Sequence, residues 1–184
     1  KYCKEADIIH HLAGITDVPR VKSESSEAND NKIKLVAEEG TKNIIDAISD
    51  NCKIILPSTH VVFEGIEKVK NDILENEETK PVLSYATSKA INEKQLKKSG
   101  KKYIILRLGS VYGYSTDTAR IDIMTNFFSK MASQNGILRL FAGGSQVKSL
   151  VPLIDVARCF KFMEERDDIS SELFNLTKDT VTVK

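Results

Sequence analysis

Cysteine is scarce in this chain: Cys3, Cys52 and Cys159 are scattered over 184 residues and form no Cys-x-x-Cys pair. That excludes a disulfide framework and a cysteine-based zinc centre, and it suits a reducing cytoplasm with no metal site. An excess of one charge is missing too. Lys and Arg number 27 against 26 for Asp and Glu, a net charge of +1, so the chain has neither a nucleic-acid tract nor an acidic tail. Long hydrophobic runs are absent. The longest, Lys53 to Pro57 and Tyr103 to Leu108, are strand-sized and fall far short of the roughly 20 residues that cross a bilayer. No signal peptide opens the chain and no internal repeat is visible, so no membrane partner is expected. What remains, 41% apolar and 29% charged residues, is the balance of a soluble globular domain.

Lys1 is not a start residue, a strand follows within a few positions, and Thr180 to Lys184 opens a new alternating segment at the far end. The sequence therefore reads as an internal piece of a longer protein. Asp7-Ile8-Ile9-His10-His11-Leu12-Ala13-Gly14 predicts a buried strand feeding a tight loop, where small residues let a ligand approach the backbone. After a polar connection, Ser25 or Ser26 caps a long helix with Ile33, Val36, Ala37, Gly40, Ile44, Ala47 and Ile48 at helical spacing. Lys53 to Leu56 is the next strand, and Pro57-Ser58-Thr59 lies just past its carboxyl end, the place where open parallel sheets bind ligands.

Residues 64 to 83, rich in Glu, Lys and Asn, read as a solvated connection. Pro81 sets up a helix that runs to Ser99 and ends at Gly100. Strands are predicted at Tyr103 to Leu108, Ile137 to Phe141, Val147 to Val151 and Glu172 to Leu176. Helices are predicted at Asp122 to Ser133 and Asp155 to Glu165, with a turn at Gly143-Gly144. Strands alternating with helices imply right-handed crossovers and a doubly wound parallel α/β sheet.

The helix after Pro81 carries Ser84-Tyr85-Ala86-Thr87-Ser88-Lys89. A Tyr and a Lys four positions apart share one helix face, so the ammonium can lie close to the phenol. A phenol in water titrates at about pH 10, and a neighbouring cation favours phenolate, which is what a general base requires. Such a pair is expected about 0.6 times by chance in a chain of this composition, so its weight comes from its neighbours at the strand end, Ser58 and Thr59. His11, at another strand end, reads as a residue that positions backbone, and His60 as a neighbour of Thr59 without an acid's role. Phe127, Phe128, Phe160, Phe162 and Met163 recur at helical spacing and read as core.

The order of motifs resembles the extended short-chain dehydrogenase/reductases, specifically the NAD-dependent epimerase/dehydratase family acting on nucleotide sugars. The likeness runs through His11-Leu12-Ala13-Gly14, Gly40-Thr41 with Asn43, Ser58-Thr59 with Val61-Val62-Phe63, and Tyr85-x-x-x-Lys89. It continues through Leu106-Arg107 with Val111-Tyr112-Gly113, then Gly143-Gly144-Ser145-Gln146 leading to Asp155-Val156-Ala157. The resemblance implies a Rossmann-like fold whose Gly-rich turn, first strands and cofactor-selecting residue precede Lys1. Residues 1–110 would be a partial cofactor-binding core. Residues 111–184 would be a small partial substrate-binding subdomain, with about 151–176 returning to the core.

It further implies that Tyr85 as phenolate takes a proton from a sugar hydroxyl while hydride passes to NAD or NADP. Lys89 would hold the phenol's pKa down and bind the nicotinamide ribose, and Thr59 would hydrogen-bond the same sugar oxygen with Ser58 assisting. Leu12, Ala13, Gly14, Ser58, Tyr85, Lys89 and Leu108 would contact the cofactor; Ser58, Thr59, Ser110 and Lys148 would contact the substrate. Returning the hydride to the opposite face gives an epimerase, and supplying it from reduced cofactor gives a 4-ketoreductase. Where dehydratases of the family carry Asp-Glu after the Thr, this chain has His60 and Val61, which disfavours a 4,6-dehydratase. Ala37 replaces the family's usual Asn before Gly-Thr, Ser110 replaces an Asn, and Lys148 replaces an Arg that grips the diphosphate without keeping its planar fork. Those changes leave open a ketone or alcohol outside sugar chemistry, or a non-catalytic dinucleotide-binding protein. The resemblance also implies a homodimer built from the helix at about Ser25 to Asp50 and the Tyr85 helix.

Overall fold

The computed structural model describes residues 2–16, 22–70, 72–116 and 120–184. They divide into two compact units, one of residues 1–107 and 163–175, the other of residues 108–162 and 176–184. The piece that returns to the first unit is therefore 163–175, while 151–162 stay with the second. The polar connection expected after Gly14 falls largely on 17–21, outside the described residues.

In the first unit, a short helix α1 (Tyr2–Glu5) precedes β1 (Ile8–His10), α2 (Glu27–Ala47), β2 (Lys53–Thr59), α3 (Ser84–Lys98) and β3 (Lys102–Leu108). These strands and the later β6 (Glu172–Leu176) form a four-stranded sheet in the order β1-β2-β3-β6. β1 and β2 are parallel, with Ile9 opposite Ile54. Because the order advances in one direction, right-handed crossovers put α2 and α3 on one face, where they pack against each other. This is the half-sheet that the motif order leads one to expect. β2 is buried along Lys53 to Leu56 on both faces, hence the continuous apolar run in place of alternation. Ile48, Cys52, Ile54, Leu56, Leu96 and Ile105 form the core between sheet and helices.

Local chemistry explains the helix ends. Ser26 caps α2 by accepting from the Asn29 amide. Gly100 takes φ +72° just past α3, the left-handed conformation that lets a helix stop and the chain turn back. The N-terminus of α3 is less legible. Leu83 sits at its cap without a side-chain bond, and Glu64, nineteen residues upstream, accepts from the Val82 and Leu83 amides at 2.8 and 2.6 Å. The 64–83 connection is thus closed between its two ends, and its middle is held where Glu75 accepts from the Asn175 amide at 2.9 Å.

Lys53 is 5% exposed, and its ammonium donates to the carbonyls of Met163, Glu164 and Arg166 at 2.8, 3.4 and 2.9 Å. A cation there satisfies carbonyls that a helix end leaves open. Lys53→Met is expected to lower stability by about 2 kcal/mol, read as a lower urea midpoint with an unchanged slope.

The second unit holds β4 (Ser110–Tyr112), α4 (Met124–Ser133), β5 (Val147–Pro152), most of α5 (Leu153–Glu164) and β7 (Asp179–Thr182). β4 and β5 are parallel, and β7 closes the three-stranded sheet antiparallel to β5. The strand expected at Ile137 to Phe141 does not form. Residues 137–140 are irregular and Phe141–Gly144 is a short 3-10 helix. Its apolar residues find no ladder partner among the described residues, Ile137 is 79% exposed, and Gly143 and Gly144 curl the chain at φ +64° and +77°. β-propensity without a neighbouring strand does not make a strand.

Candidate active site

β1 ends at His10, and the chain leaves the sheet through His11, Leu12, Ala13 and Gly14. α3 brings Tyr85, Ser88, Lys89 and Asn92 to the same place, and α2 brings Ile33 and Ala37. Together with Ile15 and Thr16 they line a small, open cleft in the first unit. Of the residues the sequence singles out, Leu12, Ala13, Gly14, Tyr85 and Lys89 therefore meet in one place. Leu12, Ala13 and Gly14 are exposed, and a Cβ built on Gly14 would meet no atom within 4 Å, so the backbone here is open to a ligand.

Tyr85 and Lys89 share a face as their spacing predicts, with the Lys89 ammonium 5.9 Å from the centre of the Tyr85 ring. Lys89 Nζ also donates to the Pro57 carbonyl at 2.9 Å. Burial pulls the Lys89 pKa down to about 8, partly opposed by the negative charge of Glu93. His11 is buried and held neutral-leaning, first by burial and then by the charge of Lys89.

A depressed lysine pKa has a stability consequence with a definite sign. Below pH 8 both folded and unfolded Lys89 are protonated, and the fold carries the full cost of a buried charge. Between about 8 and 10.5 the unfolded chain binds more protons than the folded one, so stability rises with pH across that window. The ligand-free protein is expected to gain up to about 3 kcal/mol from this group over the window, relative to Lys89→Met. Urea unfolding of both proteins at pH 7.5 and 10.5 measures the difference.

Thr59 and Ser58 do not line this cleft. Thr59 is 8% exposed at the end of β2, where its hydroxyl accepts from the Val61 amide and caps the turn His60–Phe63. Ser58 is 3% exposed, and its hydroxyl donates to Glu93 at 2.5 Å. Both remain tied to the Tyr85 helix through β2, because Lys89 grips the carbonyl of the preceding Pro57. Leu108, Ser110 and Lys148 belong to the second unit, where Ser110 lies opposite Leu150 and Lys148 opposite Val181.

The structure also joins motif residues to Asn92 and Glu93, two polar residues that the motif reading passed over. His11 Nε2 and Thr41 Oγ1 are 2.9 Å apart, and Asn92 Nδ2 donates to Thr41 and to the Ala37 carbonyl. His11 Nδ1 and Asn92 Oδ1 are buried without a hydrogen-bond partner among the described residues. Beside them Glu93 and Arg107, with side chains 4% and 3% exposed, form an ion pair at 2.7 Å. The available signal was spacing: Asn92 and Glu93 lie three and four residues past Lys89, on the face that Tyr85 and Lys89 already mark.

A parallel α/β sheet with Tyr-x-x-x-Lys in a cleft at its strand ends is the arrangement of the extended short-chain dehydrogenase/reductases. The chain belongs to the family described as RmlD substrate binding domain, whose pattern matches residues 3–143. No curated protein gives a significant match.

Among solved structures, it is similar to UDP-glucose 4-epimerase of Thermotoga maritima with UDP-glucose. That pair shares 21% identity and a TM-score of 0.77, over 96% of this chain and 57% of the other. It is similar to UDP-glucuronic acid 4-epimerase of Bacillus cereus in complex with UDP-glucuronic acid and NAD, at 21% identity and TM-score 0.78, over 97% and 56%. It is also similar to UDP-N-acetylglucosamine 4-epimerase of Methanobrevibacter ruminantium, at 20% identity and TM-score 0.77, over 99% and 58%. The chain thus spans little more than half the length of these relatives, and the likeness establishes its Rossmann-like fold. No described helix is long and apolar enough to cross a membrane.

Proposed function

We propose that this chain supplies the acid-base part of an NAD(P)-dependent nucleotide-sugar 4-epimerase or 4-ketoreductase. The observation that carries the reading is the meeting of Tyr85, Lys89 and the open Leu12-Ala13-Gly14 loop in one cleft. These residues fit a dinucleotide. Lys89 offers an ammonium to a ribose hydroxyl, the small residues leave room beside the backbone, and His11 Nδ1 and Asn92 Oδ1 are free to bond a polar group. When bound, NAD(P) accepts hydride from the sugar carbon or returns it.

The chain's own residues manage the proton. Tyr85 as phenolate takes it from the sugar hydroxyl as the ketone forms and gives it back on reduction, and Lys89 favours that phenolate. Thr59 lies outside the cleft lining, at the end of the strand that Lys89 holds through Pro57. It would have to reach the same oxygen from there once substrate is bound, with Ser58 setting the strand end. Leu12, Ala13 and Gly14 flank the cofactor. Several similar structures are named as UDP-sugar 4-epimerases, which supports a nucleotide sugar over a ketone of another kind. Leu35 and Val36 on α2 are exposed, which supports a homodimer through α2 and α3, to be read by light scattering.

Turnover of the complete gene product with a panel of UDP-, dTDP-, GDP- and CDP-sugars, in the presence of NAD or NADP, tests the proposal. Conversion of a 4-hydroxyl epimer or reduction of a 4-keto sugar is expected. Activity confined to non-sugar ketones, or dinucleotide binding with no turnover, would replace it.

A further inference from the structure

Tyr85, Lys89 and Glu93 follow one another at four-residue steps on α3, so all three stand on one side of the helix. That side grips β2 at two consecutive residues: Lys89 holds the Pro57 carbonyl at 2.9 Å, and Glu93 accepts from Ser58 Oγ at 2.5 Å. The next residue of β2 is Thr59. Behind Glu93, Arg107 on β3 donates from Nε and Nη2 to the two carboxylate oxygens at 3.0 and 2.7 Å. Arg107 Nη1 donates to the Glu75 carbonyl at 3.1 Å, and its guanidinium lies 4.9 Å from the centre of the Phe63 ring. The carboxylate is buried, bidentate and satisfied on all sides. A hydrophobic pair of the same size would cost less desolvation, so stability alone does not explain a buried ion pair at this point.

We propose that Glu93 is a positioning residue for the reaction, tying the strand end that bears Thr59 to the helix that bears Tyr85 and Lys89. The proposal rests on the assignment of those three residues given above. Among the described residues, the charged and titratable groups facing Lys89 are Tyr85 and Glu93 from its own helix and His11 from the end of β1. Glu93 favours the protonated amine by its negative charge. Glu93 thus acts twice, holding Ser58 by a hydrogen bond and supporting the Lys89 ammonium through space.

Two variants separate these effects from mere stability. Glu93→Gln keeps the shape and removes the charge, while Ser58→Ala leaves the ion pair whole and cuts only the tie. With lysine side chains labelled at Cε, NMR titration of the complete, ligand-free gene product is expected to place the Lys89 midpoint near 8. It should fall in Glu93→Gln and stay in place in Ser58→Ala. In turnover assays Ser58→Ala should lower kcat about tenfold with the cofactor Kd within about twofold, because misplacement acts on the reacting geometry. An unchanged Lys89 midpoint in Glu93→Gln, or a wild-type kcat in Ser58→Ala, overturns the proposal. If Glu93→Gln does not fold, the Ser58→Ala kcat decides. Absence of turnover in the wild type would instead remove the functional reading, and the titration would still test Glu93.

Discussion

Tyr85→Phe is expected to lower kcat about a thousandfold in the complete gene product while NAD(P) still binds with measurable affinity. The substitution removes one hydroxyl and leaves the ring in the cleft beside Lys89. Ring packing and the helix persist, so the loss falls on proton transfer and not on assembly of the site. Cofactor titration by fluorescence, alongside steady-state assay with the best sugar nucleotide, provides both readings. Wild-type turnover in Tyr85→Phe would show that another group handles the proton.

Arg107→Ala has the largest expected effect on the fold, a loss of about 3–5 kcal/mol. Glu93 would remain in a site where its side chain is 4% exposed, without the two donors that now satisfy it. The Glu75 carbonyl would lose its partner and the Phe63 ring its stacked cation. The double variant Arg107→Met with Glu93→Leu should recover much of that stability, because no buried charge is left unpaired. Urea unfolding of the three proteins measures both terms. A stable single variant would mean that water reaches Glu93 when the arginine is gone.

Much of this was readable along the chain. Capping of α2 by Ser26, the end of α3 at Gly100 and the buried run from Lys53 to Leu56 each depend on a local rule, and each appears where that rule puts it. The meeting of the Leu12-Ala13-Gly14 loop with Tyr85 and Lys89 was legible because small residues at one strand end and a four-residue spacing on one helix are short-range patterns. Ile137 to Phe141 failed as a strand for the opposite reason. A strand needs a partner, and partnership is not written in five residues.

The amino-acid order by itself determined the alternation of strands and helices, the family, and the face shared by Tyr85 and Lys89, since periodicity and spacing are properties of neighbours in the chain. Only the tertiary structure decided that Glu64 caps a helix nineteen residues away and that Lys53 closes the end of α5. It also decided that the Ser58 hydroxyl turns to Glu93 instead of lining the cleft. Those bonds join residues far apart in the chain. Which buried polar groups find each other depends on how sheet and helices pack, and that follows from the whole core at once.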